Sequence, residues 1–129
     1  MKIDYAERAR ALVGTRFRLQ GRSAAGLDCV GLAMAAFDLP PDCVRRNYRV
    51  RGDHEVEVRA FLADQFRRVS RAQLRAGDLM LMRVAPDQLH LGVRTEDGFV
   101  HAHAGLRRVV ETPGMPEWPL IAAYRRRRS

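Results

Sequence analysis

The chain has 129 residues, 47% of them hydrophobic and 29% charged, and a net charge of +8. That is enough for one compact domain with its own core, and two cysteines with no CxxC spacing exclude a disulfide-stapled or zinc-ribbon scaffold. No run approaches the roughly 20 apolar residues of a membrane span, and the start, Met1 to Arg8, lacks the apolar core of a signal peptide, so cytoplasmic synthesis is expected.

In chain order, Asp4 can cap a first helix with Glu7 three residues on, and Tyr5 to Val13 carry it to a stop at Gly14. An irregular loop, Thr15 to Ser23, leads to Asp28-Cys29 and a second, apolar helix, Val30 to Phe37, halted by Pro40-Pro41. A polar stretch, Asp42 to Gly52, precedes a third helix over Asp53 to Phe66, where Val58, Phe61, Leu62 and Phe66 recur at helical spacing as core. The period then changes to that of strands. Arg75 to Asp78 reads as a turn, Leu79 to Val84 as a strand and Ala85 to Gln88 as the next turn. Leu89 to Thr95 and Phe99 to Ala104 form a hairpin around Asp97-Gly98, and Arg107 to Glu111 and Ile121 to Tyr124 complete the sheet. Helices first and strands second predict a single α+β domain, residues 1–129, with a mainly antiparallel sheet.

Chemistry concentrates at two places. Cys29 follows a glycine-bearing loop and opens a helix, where free N–H groups and the positive end of the macrodipole lower a thiol pKa below its usual 8.5 or so. In the hairpin, alternation puts His90, His101 and His103 on one face, with Gly92 leaving room for a substrate or for the cysteine helix. A histidine cluster can be a metal site, but zinc would need a further carboxylate or thiolate at ligand spacing, and none is close in sequence. Cysteine, histidine and a third polar group make the other solution, a nucleophile with its base and orienting partner. Asp28 reads equally as the helix N-cap and as a substrate-binding group. Cys43 and His54 read as structural or incidental.

These residues resemble a known family. The runs Leu12 to Phe17 and Gly21 to Leu32 resemble the first motif of NlpC-type cell-wall cysteine peptidases. Leu74 to Leu79 is similar to the family's Ala-Gly-Asp strand entry, His90 to Val93 to its catalytic-histidine strand, and Phe99 to Ala102 to the strand of its third residue. The resemblance implies a papain-like fold and hydrolysis of amide bonds in peptidoglycan stem peptides, often at a γ-D-glutamyl bond to a diamino acid. It implies Cys29 as nucleophile, His90 as base and then acid, and His101 as orienting residue, with Asp28, Phe17, Val30 and His103 toward the substrate. The Cys29 N–H would be one oxyanion donor, with Gln20 or the Phe17 region supplying a second, and no metal or organic cofactor is required. Many members carry tyrosine at the position of Phe17, serine at that of Val30 and Trp-Gly-Gly at that of Leu19-Gln20-Gly21. The His-Ala-x-x-Gly pattern at His101 to Gly105 looks most like the branch of phage tails and gene-transfer agents, which implies tail proteins as partners and delivery to the wall inside a particle.

A two-residue Asp97-Gly98 loop would set Arg94 against His101 and Gly92 against His103, bringing His103 rather than His101 beside His90. The family pattern favours His101, which requires one extra residue in the turn, Glu96 joining Asp97-Gly98 in a bulged loop that shifts the register. Two other readings stand beside the peptidase. One is a catalytically silent tail-assembly or wall-binding module of the same fold. The other, suggested by charge and the arginine runs Arg107-Arg108 and Arg125 to Arg128, is a nucleic-acid-binding domain, although no aromatic and arginine arrangement of such a module accompanies them.

Overall fold

A computed structural model describes residues 3–18, 22–23, 26–39, 55–86 and 88–127. The predicted roles of Gln20, Pro40-Pro41, Asp42 to Gly52, Cys43 and His54 lie outside the described residues. Among the described residues no helix is long and apolar enough to cross a membrane.

The first helix, α1 (Tyr5–Arg10), starts at Asp4, whose carboxylate accepts the Glu7 N–H at 3.1 Å. It is shorter than the predicted Tyr5 to Val13. Residues 11–14 turn away because the Gly14 N–H donates to Val109 O and the Val109 N–H to Thr15 O, so the sheet takes the chain before another helical turn can form. Gly14 makes that exit at φ +95°, a conformation that costs glycine little. A small antiparallel ribbon follows, β1 (Arg22–Ser23) with β2 (Gly26–Leu27), where an irregular loop was expected.

The ribbon delivers the chain to α2 (Cys29–Phe37). This helix is apolar on every side, so packing must surround it. Val30, Leu32, Ala33, Met34, Ala36 and Phe37 are all buried, against α1 and against a sheet. Asp38 ends it in the left-handed conformation at φ 52°, donating its N–H to Met34 O, before the prolines are reached.

The third helix, α3 (Glu55–Gln65), ends one residue earlier than predicted, because Phe66 opens a strand that the helical spacing had absorbed, β3 (Phe66–Val69). Its burial runs in, out, out, in, with Arg67 and Arg68 exposed, so it lacks the strict alternation that would have revealed it. After a 3-10 turn (Arg71–Gln73) come β4 (Leu79–Ala85), β5 (Gln88–Arg94), β6 (Gly98–His103), β7 (Arg108–Pro113) and β8 (Leu120–Arg126). They form one antiparallel sheet in the order β3-β8-β4-β5-β6-β7.

Both faces of this sheet are covered, which is why Leu79-Met80-Leu81-Met82 is continuously apolar. Leu79 and Leu81 join the larger core with Leu32, Phe37, Leu62, Phe66 and Val93. Met80 and Met82 form a smaller cluster with Phe99 on the other face, covered by Leu74, Trp118 and Leu120. Asp78 fixes where β4 begins. Its carboxylate, 1% exposed, accepts the Arg75 N–H and both Nε and Nη2 of Arg125, the latter two at 2.8 Å. The Ala-Gly-Asp entry is thus a strap between the β4 turn and β8, and removing one partner of such a buried pair costs about 3–5 kcal/mol.

The hairpin register differs from the two-residue reading of Asp97-Gly98. Arg94 pairs with Phe99 and Val93 with Val100, the Thr95 N–H donates to Gly98 O at 2.9 Å, and the tip is Glu96-Asp97. Neither tip residue has a positive φ. Gly98 is glycine for a different reason: a Cβ there would overlap Thr112 O of β7. Gly92, likewise, makes room not for substrate but for Met82 and Phe99, whose side chains would lie 3.2 and 3.3 Å from a Cβ. Gly98→Ala must push β7 from β6, and overpacking of this kind costs about 1–3 kcal/mol, a fall in melting temperature of roughly 5–15 °C. An unchanged thermal melt would mean that β7 yields without cost.

Candidate active site

The predicted site residues come together. Phe17, Asp28, Cys29, Val30, His90, His101 and His103 all line one cavity of about 210 Å³ between α2, β5 and β6. The helix supplies the first group because Asp28 sits outside its first turn and accepts the Gly31 N–H at 2.8 Å, while the Leu32 N–H bonds to Asp28 O. Two N–H groups, of Cys29 and Val30, are left facing the thiol, as is that of Leu91 in β5.

How a helix on one face of a sheet reaches histidines on the other follows from the hairpin. The β5–β6 ladder holds at Val93 with Val100 and Arg94 with Phe99, next to the turn, and is open beyond. Leu91 and Ala102 face the α2 side, whereas His90 sits opposite Met82 and His101 stacks on Phe99, with 4.6 Å between ring centroids. The cavity occupies the opening, and Cys29 and Leu91 both line it.

His90 Nε2 lies 2.9 Å from His101 Nδ1, which leaves His90 Nδ1 as its free nitrogen. Extending the observed register would set His101 across from Gly92 and His103 across from His90 itself, but the ladder is open there, and it is the His101 ring whose Nδ1 meets His90 Nε2. Moving the tip by one residue shifts every partner by two, which preserves the shared face and brings both His101 and His103 to the level of His90. His103 is used differently: its Nδ1 accepts the Leu106 N–H at 3.1 Å, and Gly105 leaves room beneath it, since a Cβ would come 3.0 Å from His103 Cε1. The His-Ala-x-x-Gly pattern is therefore also a turn that His103 ties down.

Phe17 is held at the rim by its N–H, which donates to Arg107 O, and Val30 is buried between cavity and core. Three contributors were not singled out from sequence. Trp118 stands edge-on to His90 and His101, with centroids at 5.6 and 5.9 Å. Thr112 Oγ1 lies 2.8 Å from His101 Nε2. Val58, predicted as core, lines the cavity. A tryptophan in a proline-rich loop and a threonine one strand further on carry no short-range signal that would place them here.

Burial dominates the electrostatics. The Cys29 thiol is pushed up to about 12, by burial first and the Asp28 carboxylate second, and the three N–H groups pull it back only in part. The lowered pKa expected of a helix N-terminus is thus overturned, because the macrodipole is worth less than the desolvation of a thiolate. His90 is lowered to about 3, by burial and then by repulsion from His101 and His103, and His101 to about 4, by burial and then His103. The resting site is a neutral thiol beside neutral imidazoles. It can still exchange a proton, because thiolate and imidazolium formed together attract strongly where water is excluded.

Two outcomes follow. Iodoacetamide should alkylate Cys29 with a rate still climbing at pH 10, and a plateau below pH 8 would contradict a thiol held neutral. Folding favours the neutral histidines, so their contribution to stability is fully present above the unfolded value of about 6.5 and is lost as pH falls toward 4 and 3. Melting temperature should therefore drop between pH 6.5 and 5, and His90→Asn/His101→Asn should flatten that slope; equal slopes would contradict the assignment.

Comparison with known proteins agrees with this geometry. The chain is 29% identical over 107 residues to the murein DD-endopeptidase MepS/murein LD-carboxypeptidase of Escherichia coli strain K12, covering 81% of this chain and 51% of that protein. It thus spans about half the length of the curated relatives it matches. NlpC1 from Trichomonas vaginalis superposes with a TM-score of 0.64 at 16% identity, over 95% of this chain and 42% of that one. The NlpC/p60 domain of peptidoglycan hydrolase SagA does so with a TM-score of 0.61 at 18% identity, over 85% and 86%. The fold is thus the α+β, papain-like one that the motifs implied. Residues 14–119, which hold both the cysteine helix and the histidine hairpin, match the NlpC/P60 family as a whole, and the chain belongs to that family.

Proposed function

We propose that this protein is a cysteine endopeptidase that cleaves amide bonds in peptidoglycan stem peptides through a thioester on Cys29. The observation that carries the reading is the hydrogen-bonded pair His90–His101 on the wall of the cavity that Cys29 lines. The murein activities named for the Escherichia coli relative support the substrate class.

As Cys29 Sγ attacks the carbonyl carbon, its proton passes to His90 Nδ1, the nitrogen that His101 leaves free. The N–H groups of Cys29 and Val30, unused by the helix, can face the developing oxyanion, and losing one such donor typically costs about 10²–10³ in rate. His90 then gives the proton to the departing amine and the C–N bond breaks. A water deprotonated by His90 releases the acid product and restores the thiol. Asp28, beyond its capping role, would meet the polar end of the peptide, while Phe17 and Val30 offer an apolar wall where many relatives have hydroxyls. The expected bond is the γ-D-glutamyl bond to a diamino acid. Cytoplasmic synthesis and delivery within a phage-tail or gene-transfer particle are part of this proposal and rest on the pattern His101 to Gly105; co-purification with tail proteins tests them.

Purified sacculi digested with the protein should release cleaved stem peptides identifiable by mass spectrometry, and Cys29→Ala should release none. His101→Ala should lower turnover by roughly 10²–10⁴ with wall binding nearly intact, whereas His103→Ala should stay within a few-fold of wild type. No release by the wild-type protein would favour the silent wall-binding module, and a crippled His103→Ala beside a healthy His101→Ala would refute the assignment of His101.

A further inference from the structure

We infer that Thr112 is a positioning residue: its hydroxyl oxygen accepts from His101 Nε2 and so fixes the tautomer that leaves His90 Nδ1 free to take a proton. The effect on rate and the choice between the two tautomers rest on the peptidase reading above; the contact of His101 with Thr112 rests on geometry alone.

Two contacts in series connect three side chains, His90 Nε2 to His101 Nδ1 at 2.9 Å and His101 Nε2 to Thr112 Oγ1 at 2.8 Å. Each contact holds one hydrogen, and a neutral imidazole carries one N–H, so the series has two orientations. In one, His90 Nε2–H donates to His101 and His101 Nε2–H donates to Thr112, leaving a lone pair on His90 Nδ1. In the other, the Thr112 hydroxyl donates inward, His101 Nδ1–H donates to His90, and His90 Nδ1 carries the hydrogen and is no base. The first also persists once His90 is protonated, because the imidazolium keeps Nε2–H directed at His101. It is therefore the orientation that a proton shuttle on Nδ1 needs, and it requires an acceptor for His101 Nε2–H.

That acceptor cannot be water, because His101 is 2% exposed. Nor can the ring turn to find another. It stacks on Phe99, and Trp118 stands edge-on to it. Thr112 is equally fixed, paired with Phe99 in β7, with its main-chain oxygen pressed against Gly98 and a β-branched side chain that is stiff at χ1. Without the hydroxyl oxygen, His101 Nε2–H would be a buried orphan, and the ring would escape by moving its hydrogen to Nδ1, which reverses the series. An imidazole held in the wrong tautomer loses most of its value as a base.

The test is ¹⁵N NMR of histidine-labelled protein without substrate, joined to kcat and KM across pH on one muropeptide. The wild type should show His101 as the Nε2–H tautomer. Thr112→Val should shift it toward Nδ1–H and lower kcat by about 10- to 100-fold with KM changed less than threefold, and Thr112→Ser should restore both. Thr112→Ala, which adds no second methyl, carries the same expectation should the valine variant fold poorly. A tautomer and turnover unchanged in Thr112→Val would overturn the inference, as would a well-folded Thr112→Ser as slow as Thr112→Val. If no form hydrolyses any muropeptide while the tautomer still responds to Thr112→Val, the peptidase reading fails and the positioning role stands.

Discussion

The pairing of Thr95 with Gly98 sets the geometry on which the site depends. Thr95 donates its N–H to Gly98 O, and its hydroxyl accepts the Gly98 N–H at 3.0 Å while donating to Glu111 at 2.7 Å. Arg10 of α1 closes on the same Glu111 carboxylate at 3.1 Å. This knot fixes the tip at Glu96-Asp97, and the tip sets the register that brings His101 and His103 to the level of His90. Gly98 adds a second constraint by letting β7 lie against the start of β6, which brings Thr112 within reach of His101. Contacts at the closed end of the hairpin thus arrange groups at its open end.

The open end matters because a continuous ladder would seal the sheet between Cys29 and the histidines. Strand main-chain groups that have lost their partners are costly unless something replaces them. The Leu91 N–H acts on the Cys29 thiol across this gap, pulling its pKa back in part. The same gap therefore admits the nucleophile and supplies it with a donor. Trp118 stands on the far side, and its ring, with Phe99, covers His101.

Desolvation dominates the electrostatic character of the site. A helix N-terminus by itself would favour a thiolate, and so would a charged histidine nearby. Here the N-cap is itself an anion, Asp28, and the histidines repel one another's positive charge, so each group is held neutral until another changes state. Asp28 serves the fold by capping α2 and opposes early ionisation of the residue it precedes. A site of this kind keeps its thiol unreactive toward solvent and forms charge only together with its counter-charge.

The sequence by itself determined the parts whose signals are local. Asp28 ahead of an apolar run marks a capped helix with Cys29 at its first position, the Ala-Gly-Asp turn marks the entry to β4, and the period of two puts His90, His101 and His103 on one face. What only the tertiary structure decided are the quantities that depend on distant partners. The end of α1 is set by β7, and β3 exists because β8 pairs with it. The register is set by Glu111 and Thr112, both more than ten residues from the turn they control. From sequence the thiol pKa reads as lowered, because the dipole of a helix end is local, whereas desolvation is a property of everything packed around it. Trp118 and Thr112 were invisible for the same reason: each acts across a sheet or a loop, and nothing in their immediate neighbours records what they face.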